Sequence, residues 1–195
     1  SGTSGGAMSR ILLALVLCLA GCASAPPERA YYLLRAELPG PLAAPDPGSL
    51  AGVGRVSVAP YLDRAGIVVQ TGEHRVREAR YHLWAEPLEQ GIRVYLRDRV
   101  SSVLGRALNT APGRADSWRY RIDVSIEEFH GKLDGDVRLV ARWSLVDLAD
   151  DAVLETQRFS RMSSQASDGY PGLVETLTSL LNELAESIAE ALRRT

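Results

Sequence analysis

The stretch "YRIDVSIEEF" (residues 120–129) alternates between apolar and polar side chains over its first eight positions. Ile122, Val124 and Ile126 share one side of an extended chain with Tyr120, and polar residues occupy the positions between them. A period of two indicates a β-strand, and a strand with one apolar side suits an antiparallel sheet with one face in water. This stretch therefore predicts a strand of such a sheet.

The segments around this strand predict more strands. Two of them, 137–148 and 152–163, follow after the short turns 130–136 and 149–151, and three strands joined in this way form an antiparallel meander. Upstream, residues 66–70 and 75–85 flank a turn that contains Gly72, which is typical of a β-hairpin. Two earlier strands are predicted at 31–38 and 54–62.

Two segments show the spacing of amphipathic helices. Apolar residues recur at intervals of three and four from Leu88 to Leu108, after Pro87, and again from Leu173 to Leu192, after Pro171. The element order predicts an α+β fold, in which a mostly antiparallel sheet carries both amphipathic helices on one face.

The chain also contains a short apolar run before its first strand. Arg10 precedes ten mostly apolar residues, 11–20, which are too few to cross a bilayer as a helix. An ordinary signal peptide is one interpretation. The sequence Leu-Ala-Gly-Cys at 19–22 resembles the bacterial lipobox at all four positions. That resemblance implies that Cys22 becomes the first mature residue, with a diacylglycerol on its thiol and a further acyl chain on its amine.

These features divide the chain into three parts. Residues 1–21 comprise residues 1–7, which lack an initiating methionine and are excluded from the fold, and the signal peptide that follows them. Residues 22–30 form a lipidated tether, and residues 31–195 form a single periplasmic α+β domain. Ala23 follows the lipidated cysteine, and by resemblance to Gram-negative lipoproteins the absence of aspartate there implies the periplasmic face of the outer membrane.

Composition argues against several classes of function. The formal charge of the chain is −2, so binding to nucleic acid has little electrostatic support. The three histidines are not spaced as a helical metal pair, and we expect His74 and His130 to be solvated in turns. We identify no catalytic residue, no metal site and no cofactor apart from the lipid on Cys22.

Three short motifs carry a resemblance to a known family. They are "YYLL" at 31–34, "PYLDR" at 60–64 and "WAEPL" at 84–88. In this order, behind a lipobox, they resemble the ABC-type transport auxiliary lipoproteins, the PqiC/YmbA-like family. The chain departs from the pattern at Ala65, where the family usually has proline.

The resemblance implies a non-enzymatic role. Such lipoproteins are accessory or docking subunits of MCE-type systems that move phospholipids between the two membranes and maintain envelope integrity. The implied partner is an MCE-domain protein that spans the periplasm, and a homo-oligomeric ring would suit docking to a ring-shaped assembly. The alternatives are an assembly or pilot lipoprotein for another envelope complex, and a periplasmic module that binds lipid itself. A hydrolase is the weakest alternative, because the sequence shows no recognisable set of a nucleophile and its base.

Large aromatic residues and loop charges are the candidates for partner contacts. Trp84 could instead pack beneath the first helix, which we favour, and Asp63 and Arg64 could instead form a structural ion pair. Trp143 is predicted to lie in the core. The candidate partner-binding residues are Tyr61, Asp63, Arg64, Arg75, Arg77 and Trp84.

Overall fold

The computed structural model describes residues 27–38, 40–43, 51–108, 118–165 and 167–195. Within them lie seven strands and two helices. The strands are β1 (Ala30–Tyr32), β2 (Ala51–Val58), β3 (Gly66–Gly72), β4 (Arg75–Trp84), β5 (Tyr120–Gly131), β6 (Asp136–Asp147) and β7 (Ala152–Ser164), and the helices are α1 (Leu88–Leu104) and α2 (Gly169–Arg193).

All seven strands belong to one mixed sheet. The order across it is β1-β4-β3-β5-β6-β7, and β2 pairs with β5 beside β3. The hairpin β3–β4 and the meander β5–β6–β7 are antiparallel, whereas β1 pairs with β4, and β2 with β5, in parallel. The predicted α+β fold with a mostly antiparallel sheet is confirmed.

The core lies between one face of the sheet and the two helices. Val124 of β5 is paired with Trp143 of β6, and both side chains are buried. Helix α2 packs on β5, β6 and β7, while α1 packs on β2 and α2. Leu177 and Leu181 of α2 are fully buried. The predicted core position of Trp143 is confirmed.

Several predicted boundaries differ from the structure. The strand predicted at 31–38 ends at Tyr32, because its partner strand β4 ends beside it at Trp84, and Leu34 beyond it is buried next to Gly91 of α1. The strand predicted at 54–62 begins earlier, at Ala51, and ends before Pro60. Helix α1 ends at Leu104 because Gly105 adopts a left-handed conformation with φ of 69°.

The prediction that His130 is solvated in a turn is wrong. Strand β5 continues through His130 and Gly131, and the turn begins only at Lys132. His130 is 9% exposed, because the turn between β2 and β3 covers it with the ring of Tyr61. His74, by contrast, lies exposed in the β3–β4 turn as predicted.

Neither described helix has the length and apolar character needed to cross a membrane.

Candidate docking surface

Tyr61 lies in the turn that joins β2 to β3. Its hydroxyl donates a hydrogen bond to the carbonyl oxygen of Glu127 at 3.1 Å, and its ring meets the ring of His130 edge-on at 5.9 Å. Burial raises the pKa of Tyr61 to about 12. These contacts give Tyr61 a role in fixing the turn on β5, and leave only part of its ring exposed.

Asp63 and Arg64 are the charged residues of the same turn, and both are exposed. The backbone N–H of Arg64 donates to the carbonyl of Leu62 at 2.8 Å, and Leu62 itself is buried. Among the described residues no ion pair forms between the two side chains or with a third residue. The turn therefore presents one positive and one negative charge to solvent on a rigid base.

Trp84, at the end of β4, is a packing residue. It is 7% exposed, and its ring lies 6.1 Å from the ring of Phe129 at an angle of 32°. Its backbone N–H donates to the carbonyl of Ala65 at 2.8 Å, which ties β4 to the β2–β3 turn. Little of the indole is left for a partner protein to contact.

Arg75 and Arg77 lie at the other end of the β3–β4 hairpin. Both are exposed, and within the described residues neither takes part in an ion pair. The hairpin separates them from Asp63 and Arg64 by about 20 Å, at roughly 3.3 Å for each residue along a strand. The candidate residues therefore form two surfaces instead of one.

The motif "WAEPL" has an architectural explanation. Glu86 forms a two-pronged ion pair with Arg35, whose Nη2 lies 3.2 Å from Oε2 of Glu86. The hydrogen bond from Arg35 lowers the pKa of the Glu86 carboxyl. Pro87 occupies the N-cap position of α1, and Leu88 is buried in its first turn. The motif thus joins the segment after β1 to the start of α1. Nothing in the sequence relates Arg35 to Glu86, so this pair could not be predicted from it.

Glu128, His130 and Arg138 form a cluster on the sheet face opposite the helices, in which His130 is buried and Arg138 is exposed. The carboxylate of Glu128 is 3.1 Å from Nε of Arg138 and 3.9 Å from Nε2 of His130. Burial lowers the pKa of His130, the carboxylate of Glu128 raises it, and Arg138 lowers it again. His130 Nδ1 is buried without a hydrogen-bond partner. The net effect lowers the pKa of His130, so the imidazole is neutral at pH 7.

We expect the free energy of unfolding to fall as the pH drops below about 6.5, the ordinary pKa of histidine. Below that pH the unfolded chain binds a proton at position 130 that the folded chain resists, so folding loses stability until the lower folded-state pKa is passed. His130→Gln should remove this part of the acid-dependent loss. Urea unfolding between neutral and mildly acidic pH measures it, with the exposed His74→Gln as control. A variant with the wild-type acid slope would contradict the prediction.

A metal centre finds no support among the described side chains. No group of three or more histidine, cysteine, aspartate or glutamate side chains is placed there to hold a metal ion. Cys22, the predicted lipidation site, lies outside the described residues.

Comparison with known proteins gives concordant results. The sequence profile for the ABC-type transport auxiliary lipoprotein component matches residues 32–189. The intermembrane transport lipoprotein PqiC of Escherichia coli (strain K12) is 32% identical over 180 residues, which cover 91% of this chain and 94% of PqiC. PqiC of Shigella flexneri matches with the same identity and coverage.

Solved structures share the fold. One crystal structure, of an uncharacterised protein, is 28% identical and superposes with a TM-score of 0.70 over 85% of this chain and 99% of that one. Another, from Xanthomonas campestris, is 15% identical with a TM-score of 0.66, and covers 84% and 95% of the two chains. The profile match and the relatives over nearly the whole length show that this chain belongs to the family of ABC-type transport auxiliary lipoproteins.

Proposed function

We propose that this lipoprotein, an auxiliary component of intermembrane transport, is held at the periplasmic face of the outer membrane by acyl chains on Cys22 and docks an MCE-domain protein that spans the periplasm. Its role is to receive or hold that partner during phospholipid transport, without catalysis. The observation that carries the proposal is the 32% identity to the intermembrane transport lipoprotein PqiC over 91% of the chain.

The packing of the core favours docking over lipid carriage by the domain itself. Side chains of both helices fill the space against the sheet, and Ile92, Leu96, Leu177 and Leu184 are completely buried. A module that carries lipid between sheet and helices would need that space for acyl chains. Lipid extracted from the purified domain and identified by mass spectrometry would contradict this step.

The docking surface that we assign to the partner is the β2–β3 turn with Asp63 and Arg64. The two charges are exposed and unpaired among the described residues. The base of the turn is fixed by Leu62, Tyr61 and the hydrogen bond from Trp84 to Ala65. Loops held by a rigid scaffold are common binding sites, and charges at the rim of an interface mainly set the association rate and orientation.

Crosslinking of native envelopes followed by mass spectrometry tests the proposal. We expect crosslinks between the β2–β3 turn and an MCE-domain protein. Capture of a secretin or an efflux channel instead would favour an assembly or pilot role for another envelope complex. A homo-oligomeric ring is part of the proposal, and crosslinks between identical residues of two copies would support it.

Removing both charges of the turn should weaken docking severalfold. The double variant Asp63→Ala/Arg64→Ala changes only exposed side chains, so we expect an unchanged free energy of unfolding. The matched control is Lys132→Ala/Asp134→Ala, which removes an exposed charge of each sign from the β5–β6 turn. Equal recovery of the partner with both variants, measured by co-purification, would place the docking surface elsewhere.

A further inference from the structure

Strand β7 forms a long open edge of the sheet. It is last in the strand order, and within the described residues no strand pairs with its outer side. The strand contains no proline, and its one residue without a partner on β6, Leu154, lies near its start. Residues 155–162 therefore present an unbroken row of backbone groups to which another strand can be added.

The register of β7 shows which way its side chains point. Glu155 and Arg161 are paired with Leu145 and Leu139 of β6, both of which are buried in the core. Since side chains alternate along a strand, the odd-numbered residues from 155 onward lie on the helix side of the sheet. The even-numbered residues lie on the side away from the helices.

The groove between α2 and the helix side of β7 carries charges of both signs. Arg161 lies 3.5 Å from Glu183, and Arg194, just beyond α2, lies 2.9 Å from Glu155. Glu190 also lines the groove, and it forms no ion pair with a described residue. An added strand must therefore match a mixed pattern of charge.

Strand β7 is complementary to itself when it is read in the opposite direction. In an antiparallel pair of two copies centred on Arg158, each residue faces the one that lies equally far beyond 158 in the other copy. Glu155 then lies opposite Arg161, and Leu154 lies opposite Met162, each pair occurring twice by symmetry. Leu154 is 47% exposed and Met162 is 65% exposed. Opposite charges and apolar side chains directly across two strands stabilise their pairing.

Other registers lose these pairs. Directly opposite residues share one side of the sheet, so the centre can move only by whole residues. With the centre at Gln157, Glu155 lies opposite Phe159, and with the centre at Phe159, Arg161 lies opposite Gln157. Neither register places opposite charges of the two strands across from each other.

The charges that meet between the copies are compatible with those inside each chain. The intrachain ion pairs would extend into a row of alternating sign, and such networks contribute more than isolated surface pairs. That row is Arg194, Glu155, Arg161 of the second copy and Glu183 of the second copy. The two Arg158 side chains meet at the symmetry axis, where each lies 3.5 Å from Glu127 of its own chain, which offsets their repulsion.

We propose that two copies of this chain pair edge to edge through β7, antiparallel and centred on Arg158, so that their sheets join into one. The contact closes at two copies, so a ring would need a further contact surface. It depends neither on the lipid anchor nor on the β2–β3 turn. Residues 154–162 on each side are fewer than the roughly 20–30 of a standard interface, so the dimer forms at high local protein concentration.

Disulfide formation in the concentrated, purified full chain tests the register. Directly opposite residues have Cα atoms about 4.5–5.5 Å apart, within the range that a disulfide spans. Arg158→Cys should therefore give a covalent dimer on mild oxidation. Thr156→Cys and Ser160→Cys are the matched controls on the same side of β7, since two copies of either residue would be offset by four positions, about 13 Å along the strand. The chain without an introduced cysteine gives the background from Cys18 and Cys22.

We expect severalfold more dimer from Arg158→Cys than from either control, and strong crosslinking in a mixture of the two control chains, because positions 156 and 160 lie opposite each other. Equal dimer formation at all three positions, or none above the background, overturns the proposal. In native envelopes, a cysteine at position 158 that crosslinks only to a different protein would show that a partner strand covers this edge, which also overturns it.

A charge exchange separates contact between copies from effects inside one chain. In the Arg158→Cys background, Glu155→Arg or Arg161→Glu alone places like charges opposite each other and should lower dimer formation severalfold. Both changes together should restore it, although the intrachain pairs with Arg194 and Glu183 do not return. Arg35→Glu, which breaks an exposed ion pair near the opposite edge of the sheet, is the control and should leave dimer formation unchanged. A double variant that crosslinks as poorly as the single variants would contradict the register.

Discussion

If acyl chains on Cys22 hold the protein at the outer membrane, as we propose, replacing Cys22 by alanine should release it into the soluble periplasmic fraction and abolish the proposed role in transport and envelope integrity. Each CH₂ group of an acyl chain buried in the bilayer contributes about 0.8 kcal/mol, and one chain alone binds only marginally. Two or three chains on Cys22 would supply the anchor. The fold should survive, because Cys22 is eight positions before β1.

The matched control for this experiment is Cys18→Ala. Cys18 lies in the apolar run that the signal peptidase would remove, so its loss should change neither the lipid on Cys22 nor the location of the protein. Sucrose-gradient fractionation of the membranes and mass spectrometry of the mature N-terminus measure both outcomes. A Cys22→Ala protein that still sediments with the outer membrane would show that another part of the chain holds it there.

The parts of the fold that depend on local patterns could be predicted from the sequence. The alternation in 120–129 places β5, and the short turns after it place β6 and β7, because a tight turn forces neighbouring strands to pair. The two stripes of leucine, isoleucine and valine place both helices to within a few residues at their start. Each of these patterns lies within one continuous stretch of the sequence.

The parallel pairings could not be predicted in the same way. Strand β1 joins β4 over a separation of about fifty residues, with Tyr32 beside Trp84, and no turn connects them. Its three residues are too few to show a period. The ion pair of Arg35 with Glu86 depends on this same closure, and the stacking of His82 on Tyr170 at 3.8 Å likewise joins segments that are far apart in the chain. Contacts between residues so far apart in the chain leave no pattern in any short stretch of sequence.

The candidate docking residues also show what a local sequence pattern can and cannot predict. The structure gives the motif residues different roles. Leu62 and Trp84 pack inside and Tyr61 fixes a turn, whereas Asp63 and Arg64 are exposed. A motif shows which residue type a position needs, but it does not show the reason. A tryptophan can be needed because it packs in the core or because it contacts a partner protein. Burial, which is a property of the fold, decides between the two.

Replacing Trp84 by alanine should lower the free energy of unfolding by about 3–5 kcal/mol, the usual cost of removing a large buried aromatic side chain. The indole is 7% exposed and its ring lies 6.1 Å from the ring of Phe129, so its removal opens a cavity between the end of β4, Phe129 of β5 and the start of α1. Tyr81→Ala on the same strand is the control, because Tyr81 is exposed and its loss should cost less than about 1 kcal/mol. Urea unfolding followed by circular dichroism measures both.

Trp84→Phe distinguishes packing from direct contact with a partner. Phenylalanine keeps a ring against Phe129, so we expect most of the stability and all of the partner recovery to return, whereas Trp84→Ala should lose partner only to the extent that it unfolds. The observation against this view would be a Trp84→Phe protein that is stable in urea yet no longer captures the partner. That result would mean that the narrow exposed edge of the indole is itself recognised, and it would join Trp84 to Asp63 and Arg64 in one docking surface.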